Sequence, residues 1–193
     1  MRLQKNQGIK KFAGWCRALL ALLLIAAPAF SAQTTSSFGE YQIKAVFLFN
    51  FAQFVEWPPG TFADNGRPLV IGVLGKDPFE GSLEEAVREE KVNGRPFTVE
   101  RYNRIEDIEN CQILFISHSE SGRLERIFDV LKGRSILTVG DADQFASRGG
   151  MIRFVTEQKK IRFRINLESA KAANLTISSK LLRPANIVQP GKD

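Results

Sequence analysis

Three short apolar runs constrain the fold of this chain more than any other feature. They read LVIGVLG at 69–75, CQILFIS at 111–117 and SILTVGD at 135–141. A run that is apolar at nearly every position is typical of a strand buried on both faces of a sheet. Segments with helical spacing of apolar residues, SLEEAVREE and LERIFDVLK, stand between the runs. Strands that alternate with helices in this way predict an α/β domain with a largely parallel sheet.

The last third of the chain predicts a different pairing. Two runs of alternating apolar and polar residues, at 151–156 and 161–167, flank a short polar turn, which is the pattern of an antiparallel hairpin. We expect this hairpin to extend the sheet at one edge. The predicted fold is therefore an α/β three-layer sandwich, in which helices flank a mixed, largely parallel sheet with a C-terminal antiparallel hairpin. The closing segment, TISSKLLRPANIV, fits either a strand or a helix.

Residues 1–32 are typical of a secretory signal peptide. Basic residues precede an apolar run at 18–30, and small residues follow it. This run is shorter than the roughly 20 residues that a transmembrane helix needs, so we expect cleavage between Ala29 and Gln33. Residues 33–39 then form a polar linker, and a single α/β domain extends over 40–189.

The charge of the chain depends on the predicted signal peptide. The whole sequence has 27 lysines and arginines against 21 acidic residues, a formal net charge of +6. Five of the basic residues and none of the acids lie in 1–32, so the rest has 22 basic and 21 acidic residues and a net charge of +1. A domain so nearly neutral gives no support for nucleic-acid binding.

Residues 40–58, EYQIKAVFLFNFAQFVEWP, are rich in aromatic side chains. On a helical wheel, one half is apolar and consists of Tyr41, Ile43, Phe47, Leu48, Phe51, Ala52, Phe54 and Val55. The other half is polar and consists of Gln42, Asn50, Gln53 and Glu56. The pattern predicts an amphipathic helix that begins near Glu40 and that Pro58 and Pro59 terminate. We expect Phe47, Phe51 and Phe54 to lie in the core.

Lys44 falls at the centre of the apolar half of this helix. An unpaired ammonium group buried there would be costly, so the side chain must extend to solvent or pair with a carboxylate. We interpret Lys44 as one half of a structural ion pair that fixes the helix against the sheet.

Residue types that catalysis commonly requires are scarce. Beyond residue 32 the chain has one histidine, His118, and one cysteine, Cys111, which is too few for a zinc site. His118 stands between Ser117 and Ser119, but neighbours in sequence seldom have the geometry of a nucleophile and its base. Cys111 opens an apolar run and is interpreted as a small buried hydrophobe, with an intermolecular disulfide as the alternative. We therefore predict neither an enzyme nor a bound cofactor or metal.

Two loops that follow predicted strands are candidates for a small-ligand site. They read LGKDPFEGS at 74–82 and VGDADQF at 139–145. Ligands of open α/β sheets bind beyond the carboxyl ends of the strands, and backbone N–H groups at 75–82 are suited to an anion. Ordinary turn chemistry is the alternative, and we interpret the acidic pair Asp141 and Asp143 as a turn and helix cap.

Several blocks of the sequence resemble one known family. The first, EYQIKAVFLFNFAQFVEWP, is similar to the signature of the YfiR family of periplasmic regulators, whose members carry a helix that ends in a Phe-Val-x-Trp-Pro step. The resemblance continues in order through VLGKDPF, VNGRPFTV, CQILFIS, LTVGDADQFASRGGMIRFV, RFRINLESAKAANLTISSKLLR and the final NIV. Five residues of the first block are assigned to the structural motif of this family, namely Lys44, Phe47, Asn50, Phe51 and Glu56.

The resemblance implies a mixed α/β sandwich, export to the periplasm and regulation without catalysis. In the best-known systems a YfiR-type protein binds the periplasmic sensor part of an inner-membrane diguanylate cyclase and holds it inactive, until an outer-membrane lipoprotein draws it away. Cyclic-di-GMP then rises and biofilm formation follows. Relatives look like homodimers, and many serve other membrane sensors. The alternative function is therefore a periplasmic ligand-binding sensor subunit that acts on a membrane histidine kinase.

Two groups of residues are candidates for contact with a partner. Trp57 and Pro58 stand at the expected end of the first helix, where a tryptophan in a rim pocket is a common hot spot. Arg153, Arg162 and Arg164 share one face of the hairpin if its strands pair in register, with phenylalanines on the other face. Such a basic ladder would steer an acidic partner, and a solvated polar face is the alternative.

Overall fold

The computed structural model describes residues 34–62 and 66–191. The strands are β1 (Val55–Glu56), β2 (Leu69–Leu74), β3 (Lys91–Val92), β4 (Arg95–Tyr102), β5 (Ile113–Ile116), β6 (Leu137–Gly140), β7 (Ile152–Glu157), β8 (Lys160–Asn166), β9 (Thr176–Ile177) and β10 (Asn186–Val188). The α-helices are α1 (Thr34–Phe51), α2 (Ser82–Val87), α3 (Leu124–Leu131), α4 (Leu167–Ala172) and α5 (Ser179–Leu182), and 3₁₀ helices cover Ile105–Asp107 and His118–Arg123.

Eight of these strands form one sheet in the order β10-β8-β7-β6-β5-β2-β4-β3. Neighbours are antiparallel in the pairs β7–β8 and β3–β4 and parallel in the others. A separate antiparallel pair joins β1 to β9. The predicted mixed, largely parallel sheet with a C-terminal hairpin is confirmed. One detail differs, because β10 pairs outside β8 and the hairpin is therefore not the edge of the sheet.

Alternate residues of the central strands face two separate hydrophobic clusters. In β2, Ile71 and Val73 belong to a cluster with buried residues of α1 and α2, whereas Leu74 belongs to a cluster with α3. Side chains of a strand alternate between the faces of a sheet, so the two clusters lie on opposite faces. Burial on both faces is why β2 and β5 are apolar throughout. The three-layer prediction is confirmed.

The first helix differs from its prediction at both ends. It begins at Thr34 and not near Glu40, and residues 34–39 contain no proline that would prevent helical hydrogen bonding. It ends at Phe51, well before Pro58. The amides of 52–54 bond to carbonyls three residues back, which tightens the last turn. Val55 then leaves the helix to pair with Ile177.

The side chains of α1 show which of its faces is buried. Phe51 is 1% exposed, and its ring centre lies 5.8 Å from that of Phe154 and 5.5 Å from that of Phe163. Phe47 and Phe54 are half-buried and pack against the same cluster. Ile43 also belongs to the apolar half of the wheel, but it is 51% exposed. The buried face is rotated relative to the predicted one, because Ala45 and Phe49 lie outside the predicted apolar half and are only 0% and 8% exposed.

The hairpin forms through a two-residue turn. Gln158 and Lys159 both have positive φ, 50° and 61°, which is the conformation of a type I′ turn and matches the twist of paired strands. The resulting register sets Phe154 opposite Phe163 and Arg153 opposite Arg164. The predicted in-register pairing is confirmed.

Replacement of Phe51 by alanine tests the contact between α1 and the hairpin. We expect the free energy of unfolding to fall by about 3–5 kcal/mol, because a buried aromatic side chain leaves a cavity that the surroundings fill only in part. The measurement is urea unfolding followed by circular dichroism.

Ile43→Ala on the same helix is the matched control. Its side chain is half in solvent, so the expected loss is below about 1 kcal/mol. Equal losses for the two variants would contradict the assignment of the buried face.

Candidate functional site

A buried ion pair joins α1 to the carboxyl end of β6. Lys44 is 3% exposed, and its Nζ lies 2.6 Å from Asp141 Oδ2 and 2.7 Å from Glu40 Oε1. Tyr41 Oη donates a hydrogen bond of 2.8 Å to the same Asp141 oxygen. Burial and the charge of Asp141 raise the pKa of Tyr41 well above its usual range, so the hydroxyl keeps its proton. Lys44 thus forms the predicted carboxylate ion pair.

The loop after β6 holds Asp141 in place. Phe145 is fully buried beneath the loop, and a Cβ at Gly140 would lie 2.5 Å from its ring. Asn166, which is also fully buried, donates from Nδ2 to the carbonyl of Ala146 at 2.8 Å. The Asp141 carboxylate accepts from Lys44 and Tyr41 of α1 and not from amides of its own loop, so its interpretation as a helix cap is wrong, whereas Asp143 lies in the turn that follows. The Asp141 carboxylate is needed by a buried lysine 97 residues earlier in the chain.

A cavity of about 340 Å³ opens beside this ion pair. It lies at the carboxyl edge of the sheet, where ligands of α/β folds bind. Its lining comes from α1, the loops after β5 and β6, and β7. The lining residues are Glu40, Tyr41, Lys44, His118, Asp141, Asp143, Arg153, Phe154, Val155 and Thr156. One of the two predicted ligand loops therefore borders a cavity.

The other predicted loop, 75–82, is occupied by contacts within the fold. The N–H of Lys76 donates to Ser119 Oγ at 3.0 Å, and the N–H of Phe79 donates to Asp77 at 2.8 Å. Arg101 donates two hydrogen bonds to the same Asp77 carboxylate. These two N–H groups bond to acceptors within the fold and are not available to an anion.

His118 is exposed at the rim of the cavity. The Ser117 hydroxyl accepts from the N–H of Ser119, and Ser119 Oγ bonds to Glu120. Both neighbouring hydroxyls thus have partners other than the imidazole. Within 34–62 and 66–191, no group of three or more histidine, cysteine, aspartate or glutamate side chains is arranged to hold a metal ion.

Trp57 and Pro58 lie at the opposite, amino edge of the sheet. Both are half-buried and follow β1, so their predicted place at an exposed helix end is wrong. The Trp57 ring contacts Phe62 at 5.8 Å between centres, and it lines a cavity with Arg95. Its Nε1 is buried and, among the described residues, has no hydrogen-bond acceptor.

The hairpin arginines share one face but differ in exposure. Arg153 is buried and pairs with Asp143. Arg164 is half-buried and lies 3.8 Å from Glu157, and Arg162 is exposed. None of the three lines the cavity beside Trp57, so the two predicted contact groups are not brought together.

Two of the remaining motif residues, Asn50 and Glu56, lie outside the buried core. Asn50 donates from Nδ2 to the carbonyl of Val46 at 2.8 Å, inside α1. Glu56 is exposed on β1. The sequence did not identify Tyr41, Glu40 and Asp141 as the groups around Lys44. The available signal was an acidic residue directly after a buried strand, at the edge where a buried lysine needs a partner.

Replacement of Lys44 by methionine tests the ion pair. Methionine matches the volume but leaves Asp141 buried without its counter-charge, so we expect a loss of about 3–5 kcal/mol in the free energy of unfolding. Lys171→Met, at an exposed position of α4, should change it by less than about 0.5 kcal/mol. A Lys44→Met protein as stable as the unchanged chain would refute the structural role of the pair.

Cys111 gives a separate test of burial. It is 5% exposed, and burial raises the pKa of its thiol to about 12. The reactive thiolate is therefore almost absent at pH 8. In a Cys16→Ser background, we expect iodoacetamide to leave the native protein unmodified and to alkylate it in urea, as measured by mass spectrometry. Rapid labelling of the native protein would contradict the buried placement and reopen the intermolecular disulfide.

A comparison with models of protein families identifies the family of the chain. The YfiR/HmsC-like family model matches residues 41–186, which run from α1 to the first residue of β10. No curated protein matches the sequence. In the part of the chain that the structure describes, no helix is both long and apolar enough to cross a membrane. The chain belongs to the YfiR/HmsC-like family.

Proposed function

We propose that the protein binds the periplasmic sensor part of an inner-membrane diguanylate cyclase and inhibits it, which lowers cyclic-di-GMP. The family match carries this proposal, because it spans the domain from α1 to β10 and points to regulators of cyclase signalling. An outer-membrane lipoprotein that withdraws the protein from the cyclase and a homodimeric state belong to the same proposal.

The geometry of the described residues supports binding rather than bond-making. Lys44 and Asp141 neutralise each other in the interior, and Ser119 Oγ is shared between Lys76 and Glu120. Groups that are engaged in this way stabilise a fixed shape. A rigid domain with fixed surface features suits the inhibition of a partner by contact.

The hairpin is the favoured contact surface. Arg162 is exposed on the arginine face, and this face is not covered by α1, which packs on the phenylalanine face. Exposed cations of this kind accelerate association with an acidic surface. Trp57 is the second candidate, since it lines a cavity with Arg95 at the amino edge of the sheet, and a tryptophan in a rim pocket is a common hot spot.

Deletion of the gene tests the proposal in the cell. We expect cyclic-di-GMP and surface attachment to rise, and expression of the unchanged protein to reverse both. Arg162→Glu should fail to restore inhibition because it repels an acidic partner, whereas Arg88→Glu, at an exposed position directly after α2, should restore it. Unchanged cyclic-di-GMP after deletion would remove the cyclase as partner.

A histidine kinase is the second candidate partner, with the protein as its ligand-binding sensor subunit. The cavity at the carboxyl edge favours this candidate, because a sensor needs a ligand site. Under this alternative, deletion changes phosphorylation of the kinase's response regulator and leaves cyclic-di-GMP unaltered.

A further inference from the structure

The hairpin extends past its neighbouring strand at the carboxyl edge of the sheet. β7 pairs with β6 only at Ile152 and Arg153, and β6 ends at Gly140. The rest of β7 continues to Glu157 and keeps its pairing with β8. In the described part of the chain, no other strand lies beside this part of β7. One edge of β7 is therefore open beyond Arg153.

The register of the hairpin shows which backbone groups face the open edge. In an antiparallel pair, residues that exchange hydrogen bonds alternate with residues whose N–H and C=O groups point away from the partner strand. The Asn166 N–H donates to the Met151 carbonyl at 2.8 Å, and the two-residue turn closes at Glu157. Both observations assign the odd-numbered residues of β7 to bonding with β8. The backbone groups of Phe154 and Thr156 therefore point away from β8.

Three of these backbone groups lie beside no strand. The Phe154 N–H is the last that can reach β6, since the parallel pairing ends at Gly140 and Arg153. The Phe154 carbonyl and the N–H and carbonyl of Thr156 lie beyond the end of β6. Along the edge they present an acceptor, a donor and an acceptor at the spacing of a strand. Thr156 is exposed, so this edge is open to solvent.

The open edge borders the cavity of about 340 Å³ beside Asp141. Residues 154–156 of β7 line one side of this cavity, and the amino-terminal half of α1 lines the other. A strand edge and a helix therefore form the two walls of a groove. The free part of β7, residues 154–157, is about 10 Å long, which suits about three or four residues of an extended chain.

The charged side chains of this groove already pair with one another. Lys44 pairs with Glu40 and Asp141, and Arg153 pairs with Asp143. Recognition in the groove through an unpaired charge is therefore not favoured. The backbone groups at the edge of β7 remain available to form hydrogen bonds with a ligand.

We propose that the open edge of β7 binds an extended segment of a partner protein, which adds to the sheet as a short strand. A peptide strand presents a donor, an acceptor and a donor at the same spacing, so it complements the free groups of Phe154 and Thr156. Main-chain hydrogen bonds supply the affinity of such strand addition, and side chains on alternate faces of the added strand supply the specificity. This binding mode rests on the proposed function, since it needs a protein that acts by contact with a partner.

Amide hydrogen exchange of the purified protein tests the open edge. The Val155 N–H bonds to β8, whereas the Thr156 N–H faces solvent, so we expect Thr156 to exchange about 100-fold faster than Val155. Nuclear magnetic resonance resolves the two amides. Protection of Thr156 in the free protein would show that a segment of this chain or a second copy already fills the edge, and it would overturn the proposal.

A phage-displayed library of random heptapeptides is the probe for binding. Selection on the purified protein should yield peptides that protect the Thr156 amide in the complex. Thr156→Pro removes the N–H at an open edge, where a strand tolerates proline, and should raise the Kd of these peptides about tenfold or more. Ile161→Pro is the matched control and should leave the Kd unchanged, because Ile161 lies opposite Thr156 and its N–H points to the other edge of the hairpin.

Circular dichroism shows whether both proline variants fold. If Thr156→Pro does not fold, protection of the Thr156 amide by the peptide in the unchanged protein decides the matter. Failure to select a peptide, absence of that protection, or equal binding to a folded Thr156→Pro protein would overturn the proposal.

The sensor part of the membrane partner separates this proposal from the proposed function. We expect the sensor part to compete with a selected peptide for the unchanged protein. A sensor part that binds without displacing the peptide would overturn strand addition and leave the proposed function standing. A sensor part that does not bind at all would contradict the proposed function, whereas peptide binding at Thr156 would still support strand addition.

Discussion

The ion pair between Lys44 and Asp141 is the constraint on which the rest of the domain depends. It joins the first helix to the carboxyl end of a central strand, at a distance of 2.6 Å and almost without solvent. A buried ion pair adds little net stability compared with an apolar pair, because both charges lose their hydration. The ion pair instead specifies where α1 lies on the sheet. Lys44 also pairs with Glu40 of its own helix, so Asp141 is the carboxylate that ties α1 to the sheet. A placement of α1 that separates Lys44 from Asp141 leaves the Asp141 carboxylate buried without its cation.

The position of α1 determines which residues lie at the two edges of the sheet. With Lys44 fixed at the carboxyl edge, Phe51 of α1 packs against Phe154 of the hairpin. The helix then ends at a point from which Val55 pairs with Ile177. Trp57 is thereby carried to the amino edge. The carboxyl edge receives the cavity with its excess of carboxylates, and the hairpin turns its arginines to the face opposite α1. Two chemically different surfaces thus result from one anchored helix.

The sequence predicts the layers of this fold well because burial leaves a direct pattern. The apolar runs of β2 and β5 record burial on both faces, and the alternation of β7 and β8 records a sheet with two different faces. The need of Lys44 for a carboxylate was equally predictable, since the cost of a buried charge is local. The identity of that carboxylate was not, because Asp141 comes near only after the sheet has formed. The end of α1 escaped prediction for a similar reason, since the competing pairing of Val55 with Ile177 is long-range.

Native-state hydrogen exchange tests the central claim, that Lys44 locks α1 onto the sheet. The amides to compare are those of Leu48 and Phe51 in α1 and that of Val139 in β6. In the unchanged protein we predict that all three exchange only through global unfolding. In Lys44→Met, the α1 amides should exchange through a local opening of lower free energy while Val139 still requires global unfolding. If α1 in Lys44→Met remained as protected as β6, the helix would be held by apolar packing alone and the account would be contradicted.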